Sequence, residues 1–359
     1  MTAPVAPLAP GQPRRNVPDG HFALRLPGGF LPLPRRALIV MGIAALAILA
    51  LAILALCLGD YPLTPQEVVA ALLSDQGFAS RIVTEWRLPR VVAAIIFGAA
   101  LGASGALFQT LTRNPLGSPD VIGFSTGAYT GAILVITLAG GSLIAVSAGA
   151  LAGGLVTALV VYLLAWRNGV QGFRLIIVGI AVTGMLSSLN TYLLLRAQTE
   201  VAMTASIWGA GSLSLVGWDA VGVAIPILVI LFLLTAIVVG PLRQLELGDD
   251  AAMAHGVHTE RTRLFVMFAG VALIAVVTAV SGPIAFIALA APQVARRLSV
   301  SAGLPIGGSA VIGALLLLAA DVVAQHVVPG SVPVGIVTVV IGGVYLVTLL
   351  IHEARKLSS

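Results

Sequence analysis

Long apolar runs alternate with short polar turns along most of the chain. The clearest run, VVAAIIFGAALGASGALFQTLT from Val91 to Thr112, has an arginine on each side and no charge within it. A helix that crosses a bilayer takes about 20 apolar residues, so this pattern predicts a membrane-spanning helix. Ten such spans are predicted: 37–58, 91–112, 121–139, 143–165, 175–195, 221–239, two within 264–295, 307–320 and 334–351.

The segments between and before these runs predict further elements. The uncharged stretch 264–295 is too long for one crossing, and Gly282-Pro283 divides it into two spans, the second of them short. Thr64-Pro65-Gln66-Glu67 has the pattern of a capping box and predicts a short surface helix that ends near Ser74. Residues 1–36 hold eight prolines and five arginines, which predicts a disordered cytoplasmic tail before one transmembrane domain, 37–359.

The composition of the chain indicates that lipid is its main solvent. Hydrophobic residues make up 58% and charged residues 9% of the chain, whereas a soluble domain usually carries about 25% charged residues. The basic residues are spread over the loops and do not form one face, which argues against a nucleic-acid partner. We therefore expect an all-α, multi-pass membrane protein.

The basic residues also predict which side of the membrane each loop faces. With the N-terminus inside and ten alternating spans, 15 basic residues lie inside and 4 outside, while the acidic residues divide seven and seven. Cytoplasmic loops of membrane proteins carry an excess of Lys and Arg. Both termini are therefore predicted to be cytoplasmic.

Glycines at spacings of three or four residues predict close packing between several spans. Small residues at this spacing let two helix backbones approach each other in lipid, where no hydrophobic force joins helices. The predicted packing faces are Gly98/Gly102/Gly105, Gly123/Gly127/Gly131 and Gly149/Gly153, and a pathway lined by bare backbone is the alternative.

No arrangement of residues in the chain is typical of an enzyme. Its single lysine, Lys356, stands near the C-terminus and excludes a Walker A phosphate loop, and its single cysteine, Cys57, allows no disulfide within the chain. Asp321 is the one carboxylate within the membrane placed to couple transport to an ion, and a structural pairing or an interface role is favoured for it. We expect no catalytic, cofactor or metal site in this chain. We expect instead a transport conduit whose energy comes from outside the chain. A stand-alone proton-coupled carrier that uses Asp321 or Glu85 is the alternative.

Two polar segments are candidate partner sites. On the predicted outer side, Arg81, Arg87 and Arg90 form a basic patch that could pair with carboxylates of a soluble protein; contact with solvent or lipid headgroups is the alternative. On the predicted inner side, residues 242–263 contain a short predicted helix, 249–255, between two glycines. Its residues Ala251, Ala252 and Met253 suit insertion into a partner's groove, and a solvated loop is the alternative.

These segments together resemble the iron-siderophore/vitamin B12 permease family of ABC importers. The segments LLAWRNG (163–169) and FRLIIVGI (173–180) are most similar to the second of two permease subunits in ferric-enterobactin importers. The further matching motifs are RLPR (87–90), Gly102 with Ser104-Gly105, Gln109, RNPLGSPD (113–120), Gly123 with Gly127-Ala128, LGDDAAMAHGV (247–257) with Arg261, GPIAFIALAAP (282–292) with Arg296-Arg297, and PVGIVTVVIGG (333–343).

The resemblance implies the fold of a type II ABC importer permease with ten helices. It implies a second homologous permease subunit, with a heterodimer favoured, two ATPase subunits that bind ATP-Mg, and a periplasmic or lipid-anchored siderophore-binding protein. Arg87 and Arg90 would meet that binding protein, and Asn114, Pro115 and Leu116 would form a cytoplasmic gate. The ATPase coupling residues would be Leu247, Gly248, Asp249, Asp250, Ala251, Met253, Gly256 and Val257.

The expected function is import of a ferric siderophore, of the catecholate, enterobactin-like class, across the bacterial cytoplasmic (inner) membrane. Another iron chelate, haem or cobalamin is the alternative cargo. The chain departs from the family at Gln293, where members often carry a histidine after AAP. That difference argues against a metal or proton role at this position.

Overall fold

The apolar runs of this chain fold into helices, because a helix satisfies its backbone polar groups within its own segment and needs no water to do so. The structure is a computed structural model. It describes residues 21–26, 29–74, 77–120, 122–139, 142–166, 172–300 and 305–358. Residues 1–20 of the predicted tail, residue 121 and the 167–169 turn lie outside these ranges.

Within the described residues, ten helices coincide with the ten predicted spans. The ten helices are α1 (Arg35–Cys57), α4 (Leu88–Thr112), α5 (Phe124–Ala139), α6 (Leu143–Ala165), α7 (Gly172–Arg196), α9 (Trp218–Glu246), α11 (Thr259–Ser281), α12 (Ile287–Ser299), α13 (Ile306–His326) and α14 (Val334–Ser358). Seven of these helices are long and apolar enough to cross a membrane, whereas α5, α12 and the apolar part of α14 are shorter.

Short elements join these helices. They are the strands β1 (His21–Leu26) and β2 (Gly29–Pro34), and the helices α2 (Pro65–Leu73), α3 (Phe78–Arg81), α8 (Thr199–Gly209) and α10 (Asp249–Ala254). The predicted capping box at the start of α2 is confirmed: the Glu67 N–H donates to Thr64 Oγ1 at 3.3 Å, and the Thr64 N–H donates to the Glu67 carboxylate at 2.7 Å.

Four of these elements, β1, β2, α3 and α8, were not predicted. β1 and β2 pair antiparallel within the part of the chain expected to be a disordered tail. The second span begins earlier than residue 91, because α3 and a π-helical segment, Ile82–Arg87, lead without a break into α4. α8 lies where the sequence predicted only a polar segment.

α4 lies at the centre of the bundle, where it packs against α9, α11, α12 and α13. Its side chains Phe97, Leu101 and Phe108 are at most 1% exposed. α5 and α6 form a second tightly packed pair, and α7 lies against both of them. The two groups of helices meet where α6 contacts α11.

The predicted glycine faces are confirmed as places where two backbones touch. A Cβ atom added to Gly98 would lie 2.4 Å from the carbonyl oxygen of Gly313 on α13. A Cβ atom on Gly105 would lie 1.7 Å from the carbonyl oxygen of Ala288 on α12. The glycines of α5 and α6 face each other in the same way.

The turn that connects α4 to α5 enters the bundle instead of staying at its edge. A Cβ atom on Gly123, just before α5, would contact Thr157 on α6 and Thr183 on α7. At 1.5 Å per residue, Thr157 lies about 12 Å along α6 from its C-terminal end. α5 therefore begins well inside the bundle, and its first turn faces the middle of α7.

Candidate functional site

Arg87 stands directly before α4, at the end of the bundle predicted to face outside. Its guanidinium donates to the carbonyl oxygens of Leu56 and Tyr61, both at 2.7 Å. Leu56 lies in the last turn of α1, where carbonyl groups have no partner within the helix. Arg87 therefore caps α1 and joins it to the start of α4.

Arg90 forms a buried ion pair with Asp321 of α13. Its Nη2 lies 2.8 Å from Asp321 Oδ1 and its Nε lies 3.0 Å from Oδ2. Gln325 donates to the same carboxylate at 2.6 Å, and Arg90 also donates to Ser214 Oγ at 3.2 Å. The side chains of Arg90 and Asp321 are 13% and 1% exposed. The structural pairing predicted for Asp321 is therefore confirmed.

The basic patch differs from its predicted arrangement. Of the three arginines expected to present charge to a soluble protein, Arg81 is exposed, whereas Arg87 and Arg90 bond to groups of this chain. The difference arises because the ends of α1 and α13 fold against the start of α4, which the linear sequence does not reveal. The docking role of the three residues stays a prediction.

The three predicted gate residues form a tight turn after α4. Arg113 ends the helix in the left-handed region, at φ 50° and ψ 33°, and the N–H of Asn114 donates back to the Gln109 carbonyl at 3.2 Å. The side-chain oxygen of Asn114 accepts from the N–H of Leu116 at 2.9 Å, across Pro115. Leu116 is 43% exposed, so the turn holds an apolar side chain at the surface.

The predicted coupling segment is a short helix between two glycine turns. α10 is preceded by Gly248 at φ 115° and followed, after His255, by Gly256 at φ 81°. These backbone conformations favour glycine, which has no Cβ atom. The ring Nδ1 of His255 lies 2.8 Å from Gln244 Oε1 on α9, which fixes the end of α10 against the preceding helix.

The coupling segment has one apolar surface that faces outward. Leu247 is 70% exposed and Met253 is 54% exposed, whereas Ala252 is fully buried against the bundle. A short helix between two turns, with projecting apolar side chains, suits insertion into a groove on a partner protein. The other predicted coupling residues, Asp250, Ala251, Gly256 and Val257, lie along the same segment.

Asp249 turns its carboxylate away from that surface and toward α4 and α11. Its Oδ1 lies 3.1 Å from Arg113 Nη2, and both carboxylate oxygens lie 2.8 Å from Arg263 Nη2. The Nη2 of Arg113 also donates to the carbonyl oxygen of Leu245, at 2.6 Å. The gate turn, the end of α9, α10 and the start of α11 therefore meet at one carboxylate.

A polar groove of about 340 Å³, which the sequence reasoning missed, opens between α5, α7 and α8. Exposed polar side chains within an apolar helix indicate a face that meets water or protein and not lipid. The signal in the sequence was the polar segment SSLNT (187–191), which interrupts the apolar run of α7. The hydroxyl and amide groups in its lining belong to Ser125, Thr126, Tyr129, Ser187, Asn190 and Thr191, and Leu194, Gly209 and Pro283 complete the lining.

Gln293 lies inside the bundle and bonds to another amide. Its Nε2 donates to Oε1 of Gln109, whose own Nε2 donates to the carbonyl oxygen of Leu289 at 3.0 Å. Both glutamines are buried, so the pair joins α4 to α12. Across the described ranges, no group of three His, Cys, Asp or Glu side chains is placed to share a metal ion.

Comparison with known sequences identifies similar proteins over nearly the whole chain. A model described as the FecCD transport family matches residues 46–352. The ferric enterobactin transport system permease protein FepG of Escherichia coli (strain K12) is 50% identical over 324 residues, 90% of this chain and 98% of that protein. The Fe(3+)-citrate import system permease protein YfmE of Bacillus subtilis (strain 168) is 36% identical over 90% of this chain and 97% of that protein. The hemin transport system permease protein HmuU of Yersinia pestis is 33% identical over 76% of this chain and 84% of that protein.

Comparison with solved structures identifies a similar fold. A metal-chelate type ABC transporter in an inward-facing conformation matches with a TM-score of 0.75 and 26% identity. The match covers 88% of this chain and 99% of the solved chain. It therefore extends over most of this chain.

Proposed function

The chain belongs to the FecCD transport family, and we propose that it is the permease subunit of an ABC importer for a ferric siderophore. The observation that carries this proposal is the 50% identity, over nearly all of both chains, to a permease named for ferric enterobactin. Relatives named for citrate and hemin are 36% and 33% identical. The proposed cargo is therefore a catecholate chelate of the enterobactin class.

Family membership confirms several predictions made from the sequence. The fold is the all-α fold of a type II ABC importer permease. The protein is a multi-pass membrane protein of the bacterial cytoplasmic (inner) membrane and a non-catalytic transport subunit. It therefore lowers no chemical barrier itself, and its task is to open and close a path.

The polar groove between α5, α7 and α8 is the proposed path for the chelate. The polar part of its lining is hydroxyl and amide groups, which exchange hydrogen bonds with a polar ligand without binding it as strongly as a charge would. Asn190 is 4% exposed, and no bond to its Oδ1 is formed within the described residues. That oxygen is an acceptor for donors of water or cargo once the helices around it separate.

The energy for transport comes from partner subunits. Two ATPase subunits bind ATP-Mg and close on each other, and the apolar surface of α10, with Leu247 and Met253, docks in a groove of one of them. Movement of α10 then opens or closes the turn of Asn114 and Leu116, which alternates access to the path between the two sides.

Two further partners complete the proposed importer. A second, non-identical permease subunit forms the opposite wall of the path, so that α7 with its exposed polar face lies near the shared axis. A periplasmic or lipid-anchored binding protein delivers the chelate to the outer end. Arg81 presents an exposed positive charge to the binding protein. Arg87 and Arg90 fix the positions of α1, α4 and α13, which form the surface that the binding protein contacts.

The alternative of a stand-alone proton-coupled carrier finds little support in the structure. Such a carrier needs a carboxylate that can take up and release a proton within the path. Asp321, the intramembrane candidate, accepts bonds from both Arg90 and Gln325. Both oxygens of this carboxylate are therefore engaged in bonds that hold α4 to α13.

The proposal is tested by uptake of ⁵⁵Fe-labelled chelates in a strain that lacks this gene. Deletion should abolish uptake of a ferric catecholate, and the gene on a plasmid should restore it, while uptake of ferric hydroxamate, haem and cobalamin stays unchanged. Normal catecholate uptake in the deletion strain, together with loss of one of the other cargoes, would show that the substrate assignment is wrong.

A further inference from the structure

Asp249 bonds to two arginines that come from different parts of the fold. Arg263 belongs to α11 and is 17% exposed, whereas Arg113 ends α4 and is 50% exposed; the Asp249 side chain itself is 41% exposed. Ion pairs at this exposure add little to the stability of a fold, because water screens them. The cluster is therefore better explained by the position that it imposes on the turn after α4 than by stability.

The backbone of Arg113 supports this explanation. At φ 50° it occupies the left-handed region, which glycine usually fills at the end of a helix because a side chain is strained there. Strained residues persist where the surrounding contacts hold them, and they are frequent at switch regions. Here the contacts come from the Leu245 carbonyl and the Asp249 carboxylate, 2.6 and 3.1 Å from Arg113 Nη2. A glycine at this position would avoid the strain but would lose both bonds.

The position of Arg113 determines the position of the predicted gate. Asn114 follows it directly, and the bond from the Leu116 N–H to Asn114 Oδ1 makes the turn rigid. On the other side of Asp249, α10 presents Met253 outward. The short coupling helix thus has an outward apolar surface and an inward carboxylate bonded to the turn.

We infer that Asp249 is a positioning residue that transmits movement of α10 to the turn of Asn114 and Leu116 through Arg113. This inference rests on the proposed function as an ATP-driven importer. When an ATPase subunit displaces α10, the carboxylate moves with it. Arg113 moves with the carboxylate because its guanidinium is bonded to it. Arg263 holds the same carboxylate against the start of α11.

The test uses the assembled importer, with both permease subunits, the ATPase subunits and the binding protein, in liposomes. Asp249→Asn keeps the size of the side chain and removes its charge. The expected result is ATP hydrolysis close to that of the wild type, with iron uptake per ATP hydrolysed reduced about fivefold or more, the range of a typical coupling between sites. Arg113→Gln should give the same loss, and the double variant should lose no more than either alone.

A second measurement reports on the turn itself. Leu116→Cys, in a Cys57→Ser background, is labelled with maleimide with and without a non-hydrolysable ATP analogue. The nucleotide should change the labelling rate in the otherwise wild-type importer, and Asp249→Asn should abolish that change. Glu246→Gln is the matched control, because Glu246 is an exposed carboxylate three residues away that has no assigned role; it should leave both measurements unchanged.

The possible outcomes separate the two proposals. If the wild-type importer takes up no ferric catecholate, the proposed function fails and this inference fails with it. If the wild type transports and Asp249→Asn keeps its uptake per ATP and its nucleotide-dependent labelling, this inference alone is overturned. If Asp249→Asn fails to bind the ATPase subunits, Asp249 acts in docking and the inference is likewise wrong.

Discussion

Arg90 and Asp321 form the buried ion pair that holds α4 to α13. Their side chains are 13% and 1% exposed, so Asp321→Ala would leave a guanidinium without a counter-charge in a site that water barely reaches. Removal of one partner from such a pair costs about 3–5 kcal/mol. We expect the free energy of unfolding in detergent to fall by about that amount.

The control for this prediction is Arg81→Ala, because Arg81 is exposed. Exposed substitutions usually change stability by about 0.5 kcal/mol or less. Equal melting temperatures for Asp321→Ala and the wild type would show that the ion pair does not stabilise the bundle.

Gly105 is the residue at which α4 and α12 approach most closely. A Cβ atom there would lie 1.7 Å from the Ala288 carbonyl oxygen, and a backbone atom cannot move aside without a shift of its helix. Gly105→Ala should destabilise the protein by about 1–3 kcal/mol or more, measured by thermal unfolding. Gly184→Ala on α7 is the matched control, since no atom lies within 4 Å of its added Cβ. If the two variants unfold at the same temperature, the close contact is not as the structure places it.

Some of these residue contacts could be predicted from the sequence and others could not. A single carboxylate in an apolar run needs a partner, which is why the pairing of Asp321 was predictable. The identity of that partner was not, because Arg90 is 231 residues away and only the packing of α13 on α4 brings the two together. For the same reason the bond of Arg87 to the end of α1 could not be predicted, and its docking role stays a prediction.

α10 depends on the conformation of the glycine before it. Gly248 has φ 115°, and a Cβ added to it would meet no atom within 4 Å. Gly248→Val should therefore leave the fold intact but strain the backbone by about 1–3 kcal/mol and tilt α10. We expect uptake per ATP hydrolysed to fall at least about fivefold.

The control for Gly248 is Gly222→Val in α9. Its added Cβ also meets no atom within 4 Å, its backbone is helical, and no proline follows it directly, so valine introduces bulk without strain. Transport by this variant should equal that of the wild type. An equal loss in both variants would mean that bulk, and not the conformation at Gly248, affects coupling.

The membrane helices were predictable because their apolar length identifies them. α8 was missed because TEVAMTASIWG has only 11 residues of mixed polarity, and neither length nor periodicity distinguishes it from a loop. The early start of the second span was missed because Arg81, Glu85 and Arg87 interrupt the apolar pattern. These charges are tolerated at that point because the helix has reached the edge of the bundle.

The orientation of the whole molecule is predicted from its basic residues and can be measured directly. In a Cys57→Ser background, Arg81→Cys should react with a membrane-impermeant maleimide in intact spheroplasts. Met253→Cys, which is exposed at the opposite end, should react only after permeabilisation. The reverse pattern would contradict the predicted cytoplasmic side of α10 and of both termini.

The class of the protein could be predicted from the sequence, but the path of the transported chelate through it could not. The ten helices and the partner segments follow from patterns that are local in the chain. The polar groove does not, because its residues come from α5, α7 and α8 and share a surface only after folding.

If this chain is the conduit for a ferric catecholate and ATP on partner subunits drives transport, liposomes that contain the assembled importer should take up ⁵⁵Fe-labelled ferric enterobactin. This uptake should require ATP inside the liposomes and binding protein outside, and it should persist when an ionophore collapses the proton gradient. Uptake by this chain alone, driven by a proton gradient without ATPase subunits, would contradict this mechanism.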